Sequence, residues 1–231
     1  MITAVGVVVP ARDEAGHSAA CLRSIRRALL ALPPHVERAV CFVADRCTDG
    51  TTAIANASGA HLVVNEHELT IGEVRDLGCR TVLSLLARHP PANILLLGTD
   101  ADTTVAPGWA RAHLAAADAG CHAVAGTAEL SAPFTTARVA HRYQAILDSA
   151  RRHDGHGNVY GANLGVRADA YLAVGGFRAL STGEDHDLWR RLGEAGHRLR
   201  YDSAAQVVTS SRLTGRAPHG LAALLRRLET G

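Results

Sequence analysis

The sequence predicts a single α/β domain built on a doubly wound, mostly parallel sheet flanked by helices. Short apolar runs rich in β-branched residues alternate with longer segments whose apolar residues recur at helical spacing. The chain has 231 residues, 47% of them hydrophobic and 20% charged, which suffices for one domain with a sizeable core. Strands that alternate with helices favour parallel pairing through crossover helices.

The first half of the chain shows this alternation most clearly. Four apolar runs are predicted as strands, and a helix follows each of them. The strands are predicted at 5–9, 40–44, 61–64 and 94–99, and the helices at 14–32, 51–58, 71–88 and 107–119. Pro33 ends the first helix, and Pro107 suits the first turn of the fourth.

The second half is less regular. Strands are predicted at 123–130 and 206–208, with a short extended piece at 165–167, and helices at 136–152, 184–195 and 221–228. Loops are expected at 153–158 and 211–220, the second of them strongly polar. The chain is therefore expected to combine a nucleotide-like half, 3–102, with an irregular half, 103–231, that shapes a second ligand site.

Two carboxylates one residue apart follow the fourth predicted strand. Asp100 and Asp102 come directly after the buried-looking run at 94–99. Ligands of parallel sheets bind beyond the carboxyl ends of the strands. Mg²⁺ and Mn²⁺ are usually held by one or two carboxylates together with phosphate oxygens of a substrate. The spacing suggests a metal–diphosphate site, although aspartates are also ordinary turn residues.

Charged residues also follow the first two predicted strands. At 10–14 they lie beside a helix N-terminus, where backbone N–H groups can meet a base or a phosphate. The alternative is that Asp13 or Glu14 only caps the helix. Asp45 ends the second strand, where its carboxylate can accept a hydrogen bond from a base, whereas Asp49 is interpreted as a structural cap.

Two predicted helices begin with residues that suit a site. Arg75 lies near the start of one of them, from where it can reach a diphosphate. The other opens with Glu184, Asp185 and Asp187 and carries Trp189 on its apolar face. Acidic residues stabilise a first turn without any function. At the mouth of a site, one of them can instead serve as a general base for an acceptor.

Composition argues against several classes of protein. The formal net charge is only +2, with 24 arginine and lysine residues against 22 aspartate and glutamate residues, so a nucleic-acid partner is not predicted. The five cysteines lack Cys-x-x-Cys spacing, which argues against a disulfide framework or a zinc site. Neither a leader pattern nor an apolar run of roughly 18 residues is present. We expect a cytoplasmic protein without a membrane segment.

Seven short motifs, in register along the chain, resemble those of the family 2 glycosyltransferases, which have the GT-A fold. They lie at 10–14, 45–51, 72–75, 100–102, 161–163, 175–177 and 184–188. The resemblance covers roughly residues 3–210. It implies that the donor is a sugar linked to UDP or GDP and that the cofactor is Mn²⁺ or Mg²⁺. It also implies that residues 103–231 bind the acceptor.

The resemblance also implies roles for individual residues. Asp45 would contact the base, Arg75 the diphosphate, and Asp102 the metal. Asp185 would be the general base of an inverting displacement, with Glu184 beside it. The full donor-binding set is Pro10, Ala11, Arg12, Glu14, Asp45, Gly72, Arg75, Asp100 and Ala101. The sugar and acceptor would be bordered by Gly161, Ala162 and Asn163.

Three further residues are candidates outside those motifs. His219, in the late polar loop with Arg212 and Arg216, can complete the metal shell, although a loop histidine is more often only solvated. His156 can contact the acceptor if its glycine-containing loop is mobile, and a plain surface loop is the alternative. Trp189 is the third candidate, and it is predicted to contact the acceptor or the sugar.

The chain departs from the family pattern in places that bear on specificity. Arg46 and Cys47 replace the usual small residues of the base pocket, so the choice of nucleotide stays open. The Gln-x-x-Arg-Trp signature is absent, which favours single transfer to a soluble small-molecule acceptor. A retaining transferase and a catalytically inactive nucleotide-binding subunit remain alternatives, and a homodimer is compatible with the sequence. A nucleotidyltransferase would need a glycine-rich loop after the first strand, and a dinucleotide-binding dehydrogenase would need a Gly-x-Gly-x-x-Gly motif there. Neither pattern follows the first predicted strand, which argues against both classes.

Overall fold

The strands and helices are those of a computed structural model that describes residues 1–215 and 220–230. The strands in this part of the chain are β1 (Ala4–Ala11), β2 (Glu37–Asp45), β3 (His61–Asn65), β4 (Ile94–Gly98), β5 (Thr103–Val105), β6 (Ala123–Leu130), β7 (Leu164–Arg167) and β8 (Leu199–Thr209). The α-helices are α1 (Ala15–Leu30), α2 (Thr51–Ala57), α3 (Ile71–Leu85), α4 (Trp109–Asp118), α5 (Ala137–Ser149), α6 (Ala168–Ala173), α7 (Glu184–Glu194) and α8 (Leu221–Thr230). None of the helices described is long and apolar enough to cross a membrane.

All of these strands belong to one sheet, in the order β3-β2-β1-β4-β7-β6-β8-β5. β7 and β5 run antiparallel to their neighbours, and the other strands run parallel to one another. The predicted mostly parallel, doubly wound sheet is therefore confirmed. Because of these directions, the carboxyl ends of β1, β2, β4, β6 and β8 share one edge of the sheet, and β7 begins there.

The central strand β1 is buried on both faces because it carries apolar side chains on both sides. In β1, Val5, Val7 and Val9 join the core formed with α1 and α4, while Ala4 and Val8 join the core formed with α3 and α7. Each fully buried valine stabilises the fold by roughly 1.5–3 kcal/mol relative to an exposed one. The helix α3 lies so close to β1 that a Cβ on Gly6 would be 1.9 Å from the side chain of Val82.

The sequence prediction missed two elements and extended several others too far. β5 has only three residues and pairs with β8 at the sheet edge, and the six-residue α6 follows β7 directly. Segments this short do not display a periodicity that identifies them. The helix predicted at 71–88 ends at Leu85, whereas the strand predicted at 206–208 is only part of β8, which begins at Leu199.

Candidate active site

Two loops at the shared edge of the sheet are bonded to each other. Asp13, after β1, accepts hydrogen bonds at Oδ1 from the backbone N–H (2.6 Å) and hydroxyl (3.1 Å) of Thr48, after β2. Asp49 accepts from the backbone N–H of Ala15 at 3.0 Å and from that of Thr51 at 2.9 Å. These bonds fix both loops against the N-termini of α1 and α2, and they confirm the structural role predicted for Asp49.

Asp45 ends β2 as a buried carboxylate at this edge. Its Oδ1 accepts a hydrogen bond of 2.7 Å from the Nδ2 of Asn65, the residue opposite it at the end of β3. Asn65 was not singled out from the sequence, although its place at a strand end is the signal that could have found it. Arg12, which follows β1, is half-buried, whereas Pro10 and Ala11 are buried within β1.

Arg75 joins the two sides of the site. Its Nε donates to Glu184 Oε1 at 2.9 Å, its Nη2 to Asp100 Oδ1 at 2.7 Å, and its Nη1 to the carbonyl of Gly161 at 3.2 Å. A Cβ on Gly161 would lie 2.5 Å from Nη2, so the guanidinium needs a glycine there. Burial opposes the charge, but Asp100, Glu184 and Asp185 outweigh it and raise the Arg75 pKa. Arg75 is thus held by three partners in the described structure, and its place beside a diphosphate stays a prediction.

A second arginine, Arg212, lies between the carboxylate of Asp102, which follows β4, and that of Glu14, which follows β1. Arg212 Nη2 lies 3.0 Å from Asp102 Oδ2 and 2.6 Å from Glu14 Oε1, and its Nη1 donates to Glu14 Oε2 at 2.9 Å. Burial raises the pKa of Asp102, and the nearby Asp100 carboxylate adds to that effect. The sequence placed Arg212 only in a polar loop, because its partners are far away in the chain.

The carboxylates at this edge suit a hard divalent cation. Asp100, Asp102 and Glu14 offer only oxygen donors, which Mg²⁺ and Mn²⁺ prefer. Among residues 1–215 and 220–230, no cluster of three or more His, Cys, Asp or Glu side chains is already arranged around a metal position. A cation held here would therefore depend on oxygens from its ligand as well. His219, the other predicted metal ligand, lies outside the described residues. Ala101 is buried in the core, so its side chain does not face the site.

The candidate base is held at the start of α7. This helix follows Gly183, whose φ of 76° suits glycine. Asp185 Oδ2 accepts a hydrogen bond of 2.6 Å from the N–H of Gly161, and its Oδ1 accepts one of 2.8 Å from the N–H of His186. The neighbouring Glu184 is buried and pairs with Arg75. Burial raises the pKa of Glu184, and the charge of Arg75 opposes this shift. Asp185 is partly exposed, so it is the freer of the two carboxylates.

Gly72 has a structural role at the start of α3. It is buried there, and its N–H donates to the carbonyl of Leu180 at 3.1 Å. A Cβ there would lie 1.9 Å from the carbonyl oxygen of Arg178. The glycine thus lets the segment before α7 pack against α3, which brings Glu184 to Arg75. Its place beside the donor stays a prediction.

Asn163 lies in the core, not on the surface of the cleft. Its Nδ2 donates to the carbonyls of Thr127 (2.8 Å) and Ala205 (2.9 Å), where the pairing of β6 with β8 shifts register. Its Oδ1 accepts from Trp109 Nε1 at 2.8 Å and lies 3.0 Å from His113 Nε2. The amide is fully used within the core, so a place for Asn163 beside the sugar or acceptor stays a prediction that these contacts do not support. Ala162 is buried beside it.

Two other predicted acceptor residues also turn inward. Trp189 is buried, and its Nε1 donates to the hydroxyl of Tyr201 at 3.2 Å. His156 Nδ1 accepts from the N–H of Asn158 at 3.2 Å, which leaves Nε2 to donate to the carbonyl of Ala125 at 3.1 Å. Burial lowers the pKa of His156. These bonds connect the loop at 153–158 to β6, and its contact with the acceptor stays a prediction.

His113 makes stability depend on pH. Burial lowers its pKa from 6.5 to about 4. Above pH 6.5 the residue is neutral in both folded and unfolded chains. As the pH falls from 6.5 to 4, only the unfolded chain gains this proton, so the free energy of unfolding should fall by about 3 kcal/mol. Urea unfolding at several pH values measures this, and His113→Gln should flatten the dependence while exposed His35→Gln should not. Equal pH profiles for wild type and His113→Gln would contradict the expectation.

Comparison with known proteins decides the family. A model described as glycosyltransferase like family 2 matches residues 3–228. The chain belongs to this family. It is therefore a glycosyltransferase by family, as the sequence motifs predicted. A search of curated proteins gave no match.

Solved structures show the same fold at low sequence identity. Mannosyltransferase PcManGT from Pyrobaculum calidifontis, in complex with GDP-Man and Mn²⁺, aligns with a TM-score of 0.65 and 18% identity, over 92% of this chain and 58% of that one. S. aureus TarS 1-349 with UDP-GlcNAc aligns at 0.70 and 13%, over 95% and 61%. Glucosyl-3-phosphoglycerate synthase from Mycobacterium tuberculosis, with Mn²⁺, UDP-glucose and phosphoglyceric acid, aligns at 0.57 and 16%, over 97% and 78%. The chain spans less than two thirds of the length of the first two.

Proposed function

We propose that this protein transfers a sugar from a nucleoside-diphosphate sugar to a hydroxyl group of a small-molecule acceptor, with inversion. The observation that carries the proposal is the hydrogen bonding of Arg75. One guanidinium joins Asp100, at the predicted donor side, to Glu184 and Gly161, and Gly161 in turn holds Asp185. Asp100, a carboxylate suited to binding a metal ion, and Asp185, a carboxylate suited to removing a proton, are thereby connected through Arg75 and Gly161.

The donor class rests on the family and on its structural relatives. The three relatives are described with GDP-Man, UDP-GlcNAc and UDP-glucose, two of them together with Mn²⁺. In this chain Asp45, Asn65 and Arg12 offer hydrogen-bonding groups where a base would lie. Both UDP and GDP remain candidates for the nucleotide.

Asp102 would hold Mn²⁺ or Mg²⁺, with Asp100 and Glu14 close by. When bound, the metal supplies positive charge that stabilises the departing nucleoside diphosphate. Arg212 pairs with two of these carboxylates, so it neutralises part of their charge in the structure described. The partial burial of Asp102 strengthens its attraction for a cation.

Asp185 would act as the general base. The acceptor hydroxyl oxygen attacks the anomeric carbon, the bond from that carbon to the diphosphate oxygen breaks, and the hydroxyl proton passes to the Asp185 carboxylate. Attack from the face opposite the leaving group inverts the anomeric configuration, and the transition state resembles an oxocarbenium ion. The N–H of Gly161 orients the carboxylate for this step. The cytoplasmic location and a homodimer stay predictions from the sequence.

Nucleotide binding tests the donor site. We expect UDP or GDP to raise the thermal midpoint only with Mn²⁺, because Asp102 and the diphosphate share the cation. A ligand at about 100 times its Kd adds roughly 2.7 kcal/mol of stability. Asp102→Asn should abolish the metal-dependent shift, whereas Asp154→Asn, at an exposed loop carboxylate, should retain it.

The outcomes separate the remaining alternatives. No shift with either nucleotide would refute the proposed donor site. A shift without any sugar transfer or donor hydrolysis would favour an inactive nucleotide-binding subunit. Nuclear magnetic resonance of the product gives its anomeric configuration, and retention of the donor configuration would contradict the inverting mechanism.

A further inference from the structure

A groove of about 400 Å³ opens beside the candidate site, within the size range of small-molecule pockets. It lies between the end of β6, the segment that follows it, and one face of α5. Its lining consists of residues 128–134 together with Tyr143, Gln144 and Leu147. None of the residues discussed above as donor, metal or base ligands belongs to this lining.

The groove touches the candidate site at two places. At one end, Ser131 lies against Ser211, with 3.4 Å between their hydroxyl oxygens, and Ser211 precedes Arg212, which pairs with Asp102. At the other end, Tyr143 lies near Tyr160, and Tyr160 precedes Gly161, which bonds Asp185. The groove is thus connected to the segments that carry Arg212, which pairs with Asp102, and Gly161, which bonds Asp185.

The chemistry of the walls indicates what the groove accepts. Phe134 and Tyr143 pack with ring centroids 5.0 Å apart, and Leu147 adds further apolar surface. Glu129 is the charged residue of the lining, and Arg142, from the same helix as Tyr143, donates instead to the carbonyl of Leu228. Aromatic surface without a cation suits an uncharged ring and disfavours phosphate or carboxylate groups.

Two tyrosine hydroxyls at this place lack a hydrogen-bond partner within the described part of the chain. Neither Tyr143 nor Tyr160 forms a side-chain hydrogen bond with any of residues 1–215 and 220–230. Tyr143 is buried and Tyr160 half-buried, and burial raises the pKa of both hydroxyls. Neither hydroxyl oxygen is among the buried polar atoms without a partner in the described residues, so both are accessible, and a hydroxylated ligand can bond to them.

We propose that this groove binds the acceptor, and that the acceptor is an uncharged, ring-bearing molecule with hydroxyl groups. This assignment rests on the proposed glycosyl transfer and names its second substrate class. A neutral sugar and a phenol share the required chemistry, since both offer an apolar ring face and a hydroxyl. The phosphoglyceric acid found in complex with the mycobacterial relative would not fit a lining without cations.

The test pairs two substitutions on neighbouring exposed positions of α5. Gln144→Trp fills the groove, whereas Ala145→Trp adds the same ring outside the groove lining. Wild type and variants are mixed with MnCl₂, with UDP-glucose or GDP-mannose, and with methyl β-D-glucoside, 4-methylumbelliferone or 3-phosphoglycerate. Mass spectrometry detects the products. The two neutral probes distinguish a sugar acceptor from a phenol.

We expect transfer to at least one neutral probe, a rise of at least about tenfold in its KM for Gln144→Trp, and less than about a twofold change for Ala145→Trp. Tyr143→Phe, which removes only one hydroxyl from the groove lining, should raise this KM about tenfold without lowering the thermal midpoint. Transfer only to 3-phosphoglycerate, no transfer to either neutral probe, or an unchanged KM for Gln144→Trp would overturn the assignment.

Metal-dependent nucleotide binding keeps the two proposals apart. It reports the donor site and should be the same in wild type, Gln144→Trp and Ala145→Trp. If wild type binds nucleotide and the groove results above are negative, the acceptor assignment alone fails. If wild type binds neither nucleotide, the proposed function fails, and the acceptor assignment falls with it.

Discussion

Asp185→Asn should lower the rate of sugar transfer about 10³-fold, because general base catalysis typically contributes 10²–10⁴-fold. The amide oxygen of asparagine can still accept the hydrogen bond from Gly161, so the local structure should persist. An amide cannot take up the acceptor proton, and that loss falls on kcat. Nucleotide release from UDP-glucose or GDP-mannose, measured with a neutral acceptor, gives kcat and KM separately.

The matched control for this substitution is on the same helix. Glu194→Gln removes an exposed carboxylate at the end of α7, whose ion-pair partner within residues 1–215 and 220–230 is Arg190. We expect it to change kcat by less than about twofold, in keeping with the small contribution of exposed ion pairs. Both variants should keep the metal-dependent nucleotide shift. A kcat for Asp185→Asn within tenfold of wild type would exclude Asp185 as the general base.

Arg75→Leu should lower the free energy of unfolding by about 3–5 kcal/mol. The substitution removes the cation that faces the buried Glu184 carboxylate, the Asp100 carboxylate and the carbonyl of Gly161. An unpaired buried carboxylate loses its hydration without compensation, which is why breaking a buried pair costs more than breaking a surface pair. Urea unfolding at neutral pH measures the change.

Arg80→Leu is the control, since it removes an exposed arginine from the same helix. Its pair with Asp76 should contribute at most about 1 kcal/mol. The double variant Arg75→Leu with Glu184→Gln should be more stable than the two single effects would predict, because the second change removes the uncompensated charge. Equal urea midpoints for wild type and Arg75→Leu would contradict this account of the site.

The sequence predicted the sheet well where a strand has a continuous apolar run. β1 and β4 are buried on both faces, and their runs of valine and leucine mark them without any knowledge of their neighbours. β5 has three residues and its pairing with β8 is a tertiary property, so local pattern could not identify it. The same limit applies to α6, whose six residues are too few for a helical period.

The sequence located the candidate site residues better than it assigned their roles. Asp45, Asp100 and Asp102 lie at one edge because parallel strands end there, and this could be read from strand order alone. The roles of Arg75 and Asn163 depend on partners distant in the chain. Glu184 is 109 residues away from Arg75, and Ala205 is 42 residues away from Asn163. Residue type and spacing do not reveal whether such a side chain points to a ligand or into the protein.

The bonding of Arg75 also limits how this fold can be recombined. Its guanidinium belongs to the half at 3–102, yet it holds Gly161 and Glu184 from the other half, and Gly161 has no room for a Cβ beside it. We therefore do not expect the halves at 3–102 and 103–231 to behave as interchangeable modules. A chimera with another family member has to transfer the arginine, the glutamate and the glycine together, whereas substitutions in the proposed acceptor groove beside α5 leave that junction intact.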